Sequence, residues 1–442
     1  MDVKILERDD VILAYIPETL RFFEINGKTK EIIEELNNKS TDEEIIEKCR
    51  VTANQLAGLK NLLSKKRERT EKKNVTRMGL SKLVLNISNA CNLRCKYCYA
   101  NGGNYKSDER MMSVAVAKDA LDLFFEKFKA IDTIQLFGGE PLLNRELMDF
   151  VCEYVKEISP QTRIGLVTNG TLIDDDFIKL VKKYNIMVTV SYDGVPLVND
   201  IMRITKYGEG TSDIILENIK KLHAETKEPS TIEVTFNQMH VNNNVSIADV
   251  ISFVRKNLGD IPLHITPAGG NKSCNFVLKN RSAFVDVVED IFENKEGLNM
   301  FNYSLVQRIV GAIYNHGISS DYICAAGLSC YSVSVDGDIY PCFMFTDDVN
   351  MCMGNIYDEN VFEQPKFIQM FNRLRAYSKN DIEQCKKCFI KESCTGCLGI
   401  NLLETGSVFE LNEETCEMYR GMTEEVIYHL YKRNKEKKSE IA

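Results

Sequence analysis

From residue 82 to about 268 the chain alternates short apolar runs with longer amphipathic ones, and this rhythm leaves few folds open. Residues 82–89, 131–137, 163–168, 186–191, 232–236 and 262–266 read as buried strands. Residues 113–129, 143–158, 174–183, 212–223 and 246–257 read as the helices between them. Strands joined by helical crossovers predict a parallel sheet with right-handed connections. A partial barrel and a doubly wound open sheet share this pattern, and only the strand ends separate them.

The first strand runs into Cys91-Asn-Leu-Arg-Cys95-Lys-Tyr97-Cys98, three thiols in Cx3CxxC spacing with an aromatic before the last. Ligands of parallel α/β folds sit at such C-terminal strand ends. Three thiolates can hold three irons of a 4Fe–4S cluster and leave the fourth open to an amine and a carboxylate. A zinc knuckle or a scatter of buried thiols also fits the spacing taken alone. The second strand ends in Phe137-Gly138-Gly139-Glu140-Pro141, where two glycines permit close backbone approach and Glu140 adds a carboxylate. The third ends in Thr168-Asn169-Gly170, which a plain turn also explains. The fourth ends in Ser191-Tyr192-Asp193-Gly194, with Asn199 and Arg203 following. An arginine fork suits a carboxylate.

The chain has 15 cysteines in 442 residues and begins without the layout of an export signal, so metal ligation is expected over disulfides. Cys49 and Cys152 read as packed thiols. The later ones cluster: Cys324, Cys330, Cys342, then Cys385-Lys-Lys-Cys388, Cys394-Thr-Gly-Cys397 and Cys416. Asp336-Gly337 reads as a hairpin turn returning Cys342 beside Cys324. CxxC pairs also suit zinc ribbons. Net charge is −9 and no apolar run approaches a membrane span, so no nucleic-acid or membrane partner and a cytoplasmic location are expected.

Residues 3–7, 11–16 and 20–25 read as a small sheet, followed by helices at 29–36, from the capping box Thr41…Glu44, and at 51–63. Residues 65–73 are a charge run that reads as a solvated linker.

The Cx3CxxC loop with Tyr97, followed at the next strand end by Gly-Gly-Glu, resembles the signature of the radical S-adenosylmethionine (AdoMet) superfamily. The resemblance implies an α/β chain built on a partial (β/α)6 TIM barrel. Cys91, Cys95 and Cys98 would bind one 4Fe–4S cluster. Gly138, Gly139 and Glu140 would bind the AdoMet amine, Ser191 and Arg203 its carboxylate. Asp193 would sit near the ribose, and Tyr97 and Asn169 would line the cavity. Asn199 departs from the family's usual histidine. The later cysteines resemble the SPASM domain, which implies two auxiliary 4Fe–4S clusters and three in all. Cys324, Cys342 and Cys397, with Cys330, would serve the first; Cys385, Cys388, Cys394 and Cys416 the second. Two residues rather than the family's three separate Cys394 from Cys397, so Cys352 is a substitute candidate.

The amino-terminal segment resembles a winged helix, and more closely the peptide-recognition domain of enzymes that modify ribosomally made peptides, where a leader adds a strand to a sheet edge. The expected layout is a recognition domain at 1–70, a linker at 71–81 and the barrel at 82–268. A helical bridge at 269–320, the SPASM domain at 321–417 and a helix at 418–442 follow. The implied activity is hydrogen-atom abstraction from a precursor peptide, with flavodoxin or ferredoxin as electron donor. A thioether cross-link is the leading product. A carbon–carbon cross-link on lysine or aromatic side chains, anaerobic sulfatase maturation and a non-enzymatic iron–sulfur winged-helix regulator are the alternatives. Phe343 stands where sulfatase maturases carry an aspartate base.

Overall fold

The computed structural model describes residues 3–65, 79–315, 317 and 320–441. Most of the charged run and residues 71–78 of the expected linker lie outside these.

The body is a nine-stranded sheet. Its parallel part is β4 (Lys82–Ser88), β5 (Thr133–Gly138), β6 (Arg163–Thr168), β7 (Met187–Ser191), β8 (Thr231–Phe236) and β9 (Leu263–Pro267). These stand in chain order from β4 to β9, each hydrogen-bonded to the next. The crossover helices Val114–Phe128, Arg145–Ile158, Asp175–Tyr184, Ser212–Thr226 and Ile247–Leu258 cover the outer face. Alternation explains the curvature's two sides. Ile232, Val234 and Phe236 of β8 are fully buried against the helices, while Thr231, Glu233 and Thr235 face a central cavity. This is the partial (β/α)6 barrel.

The carboxy-terminal region does not stand apart from that sheet. β10 (Cys330–Val333) pairs in parallel with β4, Cys330 opposite Lys82 and Val333 opposite Leu85. β11 (Asp338–Tyr340) and β12 (Gly354–Asn355) extend it antiparallel. The expected hairpin at Asp336-Gly337 joins β10 to β11.

At the amino terminus, β1 (Lys4–Arg8), β2 (Val11–Ile16) and β3 (Arg21–Glu24) form an antiparallel sheet with β2 central. The helices Gly27–Asn37, Asp42–Cys49 and Ala53–Ser64 follow, and the capping box at Thr41 and Glu44 is formed. Ala14 and Ile16 on β2 pack toward these helices in a small core. Leu13 and Tyr15, on the opposite face, belong to the main core. Tyr15 is fully buried and meets the Phe389 ring edge-on at 6.2 Å. Lys4 pairs with Glu424 at 3.2 Å, Arg8 pairs with Glu425, and the Tyr428 hydroxyl donates to Asp9 at 2.8 Å. The amino-terminal sheet is therefore sandwiched between its own helices and the carboxy-terminal helix Glu413–Ile441. It does not hold a wholly separate core.

Candidate active site

The residues at the strand ends meet around one cavity of about 1060 Å³. Cys91, Cys95 and Cys98 line it together with Tyr97, Gly138, Gly139, Asn169, Ser191 and Arg203. The cysteine loop is pinned by backbone hydrogen bonds from Arg94 to Ile204 (2.7 Å) and from Lys96 to Met202 (2.9 Å), which lay it along the segment carrying Arg203. The glycines serve close packing. A side chain on Gly139 would fall 2.3 Å from the Ala90 carbonyl oxygen, and one on Gly103 would fall 2.6 Å from Cys91 Cβ. Gly139 and Glu140 donate their backbone N–H groups to Ser88 and Ala90. Asn169 braces the same loop by donating to Asn92 Oδ1 at 2.9 Å.

Two carboxylates expected at the cofactor are turned into the protein. Glu140 is fully buried, is not among the residues lining the cavity, and accepts from Leu142 N (3.0 Å), Thr168 Oγ1 (2.7 Å) and Asn169 N (2.8 Å). It ties the β5 end to the β6 end, leaving the backbone of Gly138 and Gly139 at the cavity wall. Asp193 is likewise fully buried, beneath Tyr97, whose hydroxyl lies 2.8 and 2.7 Å from the two carboxylate oxygens. Burial pushes both carboxyls up from their usual range. Asn199, the departure from the family pattern, accepts from Asp193 N at 3.2 Å.

Arg203 donates through Nη1 to the Tyr97 hydroxyl at 2.8 Å, with Asp193 4.0 Å away. Its Nε is buried without a hydrogen-bond partner although the side chain borders the cavity. An orphaned guanidinium donor beside Ser191 and three thiols is what a carboxylate-bearing ligand would satisfy. The residues present thus fit AdoMet on an iron–sulfur cluster. Burial raises the Cys91 thiol to about 12, and Cys95 is also raised; both must lose their protons to ligate.

The later cysteines gather as two sets. Cys342 lies in electrostatic range of Cys330, Cys397 and Cys324. Cys394 stands in the same relation to Cys388 and Cys385, and Cys416 to Cys394 and Cys385. The short Cys394–Cys397 spacing still carries Cys397 to the first set. Cys352 instead contacts the Gly354 carbonyl oxygen at 3.7 Å. Among the described residues no three His, Cys, Asp or Glu side chains converge on a single metal-ion position. Cys324, Cys397 and Phe343 border the same cavity as Cys91, the Phe343 ring 4.3 Å from that of Phe137.

One polar group on this wall escapes a motif search. Glu233 lines the cavity from β8. The alternation Thr231-Ile-Glu-Val-Thr-Phe236 was its only sequence signal.

Comparison with known proteins agrees with this geometry. The family model described as the Radical SAM superfamily matches residues 85–255, and the SPASM iron-sulfur cluster-binding domain matches residues 324–389. The chain therefore carries a radical SAM domain and a SPASM domain, and it is an enzyme. It is 26% identical to the radical SAM cyclopropyl synthase TigE of Paramaledivibacter caminithermalis, over 81% of this chain and 77% of that one. It is 27% identical to the cysteine-type anaerobic sulfatase-maturating enzyme of Clostridium novyi, over 72% of this chain and 88% of that one. In fold it is similar to native anSMEcpe with bound AdoMet and Cp18Cys peptide, with a TM-score of 0.64 and 20% identity. That match spans 82% of this chain and all of the other.

Proposed function

We propose that this enzyme is a peptide maturase that abstracts a hydrogen atom from a ribosomally made precursor and installs a cross-link. The carrying observation is the single cavity that runs from the Cys91 loop to Cys324 and Cys397. At about 1060 Å³ it reaches the upper end of small-molecule sites, roughly 300–1,000 Å³, leaving room for a substrate side chain beside AdoMet. Cys91, Cys95 and Cys98 would hold the radical cluster, Cys324, Cys330, Cys342 and Cys397 the first auxiliary cluster, and Cys385, Cys388, Cys394 and Cys416 the second. Bound together, AdoMet and a reduced cluster supply a 5′-deoxyadenosyl radical, fed by a flavodoxin or ferredoxin. Arg203 and Ser191 fix the AdoMet carboxylate, the backbone of Gly138 and Gly139 faces its amine, and Phe137 and Phe343 exclude water.

A thioether made on an iron-bound substrate cysteine needs an open auxiliary iron. Cys330 standing in range of Cys324 and Cys342 supports four protein ligands at the first set, and so favours a carbon–carbon cross-link as the second reading. Phe343 at the cavity wall offers no base and weighs against sulfatase maturation.

Leader recognition is assigned to β3. The pairs Ile12–Ile25, Ala14–Phe23 and Ile16–Arg21 alternate with Tyr15–Phe22, so the N–H groups of Phe22 and Glu24 point away from β2, at an edge that no further strand covers among the described residues.

Anaerobic reconstitution should give about twelve irons per chain, following from three four-iron clusters, without stoichiometric zinc. The protein should cleave AdoMet to 5′-deoxyadenosine, and replacing Cys91, Cys95 and Cys98 together by Ala should abolish it. Full cleavage by that variant would refute the assignment.

A further inference from the structure

Among the described residues, Glu233 is the one lumen carboxylate that the cofactor assignment leaves without a role. It stands in a register row with Ser191 on β7 and His264 on β9, and all three line the cavity. Lys82 and Arg203 lie in its electrostatic range. Yet among the described residues no donor closes to hydrogen-bond or ion-pair distance of the carboxylate. Arg203 gives its Nη1 to Tyr97 and is assigned to the cofactor's carboxylate, and Lys82 lines the lumen from β4, opposite Cys330 in the ladder.

A carboxylate at a lumen wall with no protein donor leaves its acceptor capacity open. Glu233 is partly buried and reaches the lumen, where a donor carried by a ligand can meet it. The surrounding groups say which kind. Ser191 is its neighbour in the row, and the Thr189 and Thr231 hydroxyls form the layer below. His264, bonded through Nδ1 to the Ser304 hydroxyl at 2.8 Å, is held neutral by burial. Hydroxyls and a carboxylate can all accept, and a compact ammonium brings three donors and no acceptor.

We propose that Glu233, with Thr189 and Thr231, binds a primary ammonium of the substrate peptide inside the lumen beside the AdoMet pocket. The ammonium is a lysine side chain or a free amino terminus. This rests on the maturase reading and narrows its substrate. Ser191 in the same row places the ammonium next to the cofactor's carboxylate end, so Glu233 sets which residue stands near the radical.

The test uses the reconstituted, AdoMet-loaded full chain and binding measured by saturation-transfer NMR and calorimetry. n-Butylammonium, a lysine side-chain mimic, should bind at least tenfold more tightly than its neutral isostere n-butanol. Glu233→Gln should erase the difference and Glu233→Asp should keep part of it. Nα-acetyl-lysine methylamide carries only the side-chain ammonium and glycine methylamide only the amino-terminal one, so the tighter of the two names the source. Equal binding of ammonium and alcohol by the unaltered protein, or an ammonium preference that survives in Glu233→Gln, would overturn the proposal. So would a matching loss of AdoMet affinity in Glu233→Gln, since the carboxylate would then serve the cofactor. Iron content and AdoMet affinity are measured first. If the unaltered chain takes up no iron or AdoMet, the maturase reading falls as well; if both are present without an ammonium preference, only the Glu233 assignment falls.

Discussion

Replacing Tyr15 by Ala tests whether the amino-terminal sheet is part of the enzyme body. The ring is fully buried and meets Phe389 at 6.2 Å, one residue past Cys388. Removing a buried aromatic of this size costs about 3–5 kcal/mol when the site cannot collapse. Here the hole would open between β2 and the cysteine loop, two backbones held by separate hydrogen-bond sets. At about 2.1 cal/mol/K per residue, 442 residues unfolding as one unit give about 0.9 kcal/mol/K. The expected fall in Tm is therefore about 3–5 °C. Tyr15→Phe keeps the ring and should cost less than about 1 kcal/mol. The assay is anaerobic calorimetry of both variants with iron counted before and after. Loss of iron from Tyr15→Ala, but not from Tyr15→Phe, would mark Phe389 as the link to the second cysteine set. An unchanged Tm and iron content in Tyr15→Ala would refute the docked arrangement and restore a modular amino-terminal domain. Deleting residues 1–70 is a poorer test, because it strips Leu13 and Tyr15 from the main core.

Three further outcomes are expected. Arg203→Lys should weaken AdoMet binding about 10- to 150-fold, the worth of a charge-assisted hydrogen bond, about 1.5–3 kcal/mol; an unchanged Kd would leave the orphaned Nε unexplained. Burial lowers His264 to about 4, against 6.5 unfolded, so the unfolded chain binds the extra proton between these values and stability should fall as pH drops from 6.5 toward 4. The loss is about 3 kcal/mol at most, and equal acid sensitivity of His264→Gln in urea titrations would count against it. Glu24→Pro removes an outward N–H without breaking the β2 ladder, so it should lower precursor affinity while leaving peptide-free AdoMet cleavage intact; unaltered affinity would move the leader off β3.

The barrel strands were legible because each is a bounded apolar run. 163–168 is matched residue for residue by β6, and the others shift by one or two positions at one end or both. The cysteine loop was marked by its spacing and Arg203 by the family resemblance, and both line the cavity. What was not legible is direction and long-range pairing. Leu142 N is a local partner of Glu140, but the inward turn of Glu140 and Asp193 also depends on N–H groups 29 and 42 residues away, at Asn169 and Thr235, which the local sequence does not announce. The pairing of β10 with β4 joins segments about 250 residues apart, and neither carries a mark of the other. Glu233 was hidden for the opposite reason: a half-polar strand face is ordinary until the lumen around it is seen.

The addition of β10 to β4 makes the separation between the two ends of the cavity a matter of strand arithmetic. Cys330 stands beside Lys82 at the start of β4, and Cys91 follows three residues beyond its end. Each residue of β4 advances the chain about 3.3 Å, and a one-residue change would turn every lumen side chain of the strand to the helices. Outside the register irregularity between Asn86 and Ser88, the gap between the Cys91 loop and the first cysteine set therefore changes in steps of two residues, about 6.6 Å. Relatives that handle substrates of different span should differ in the loops that roof the cavity, and keep the length of this strand.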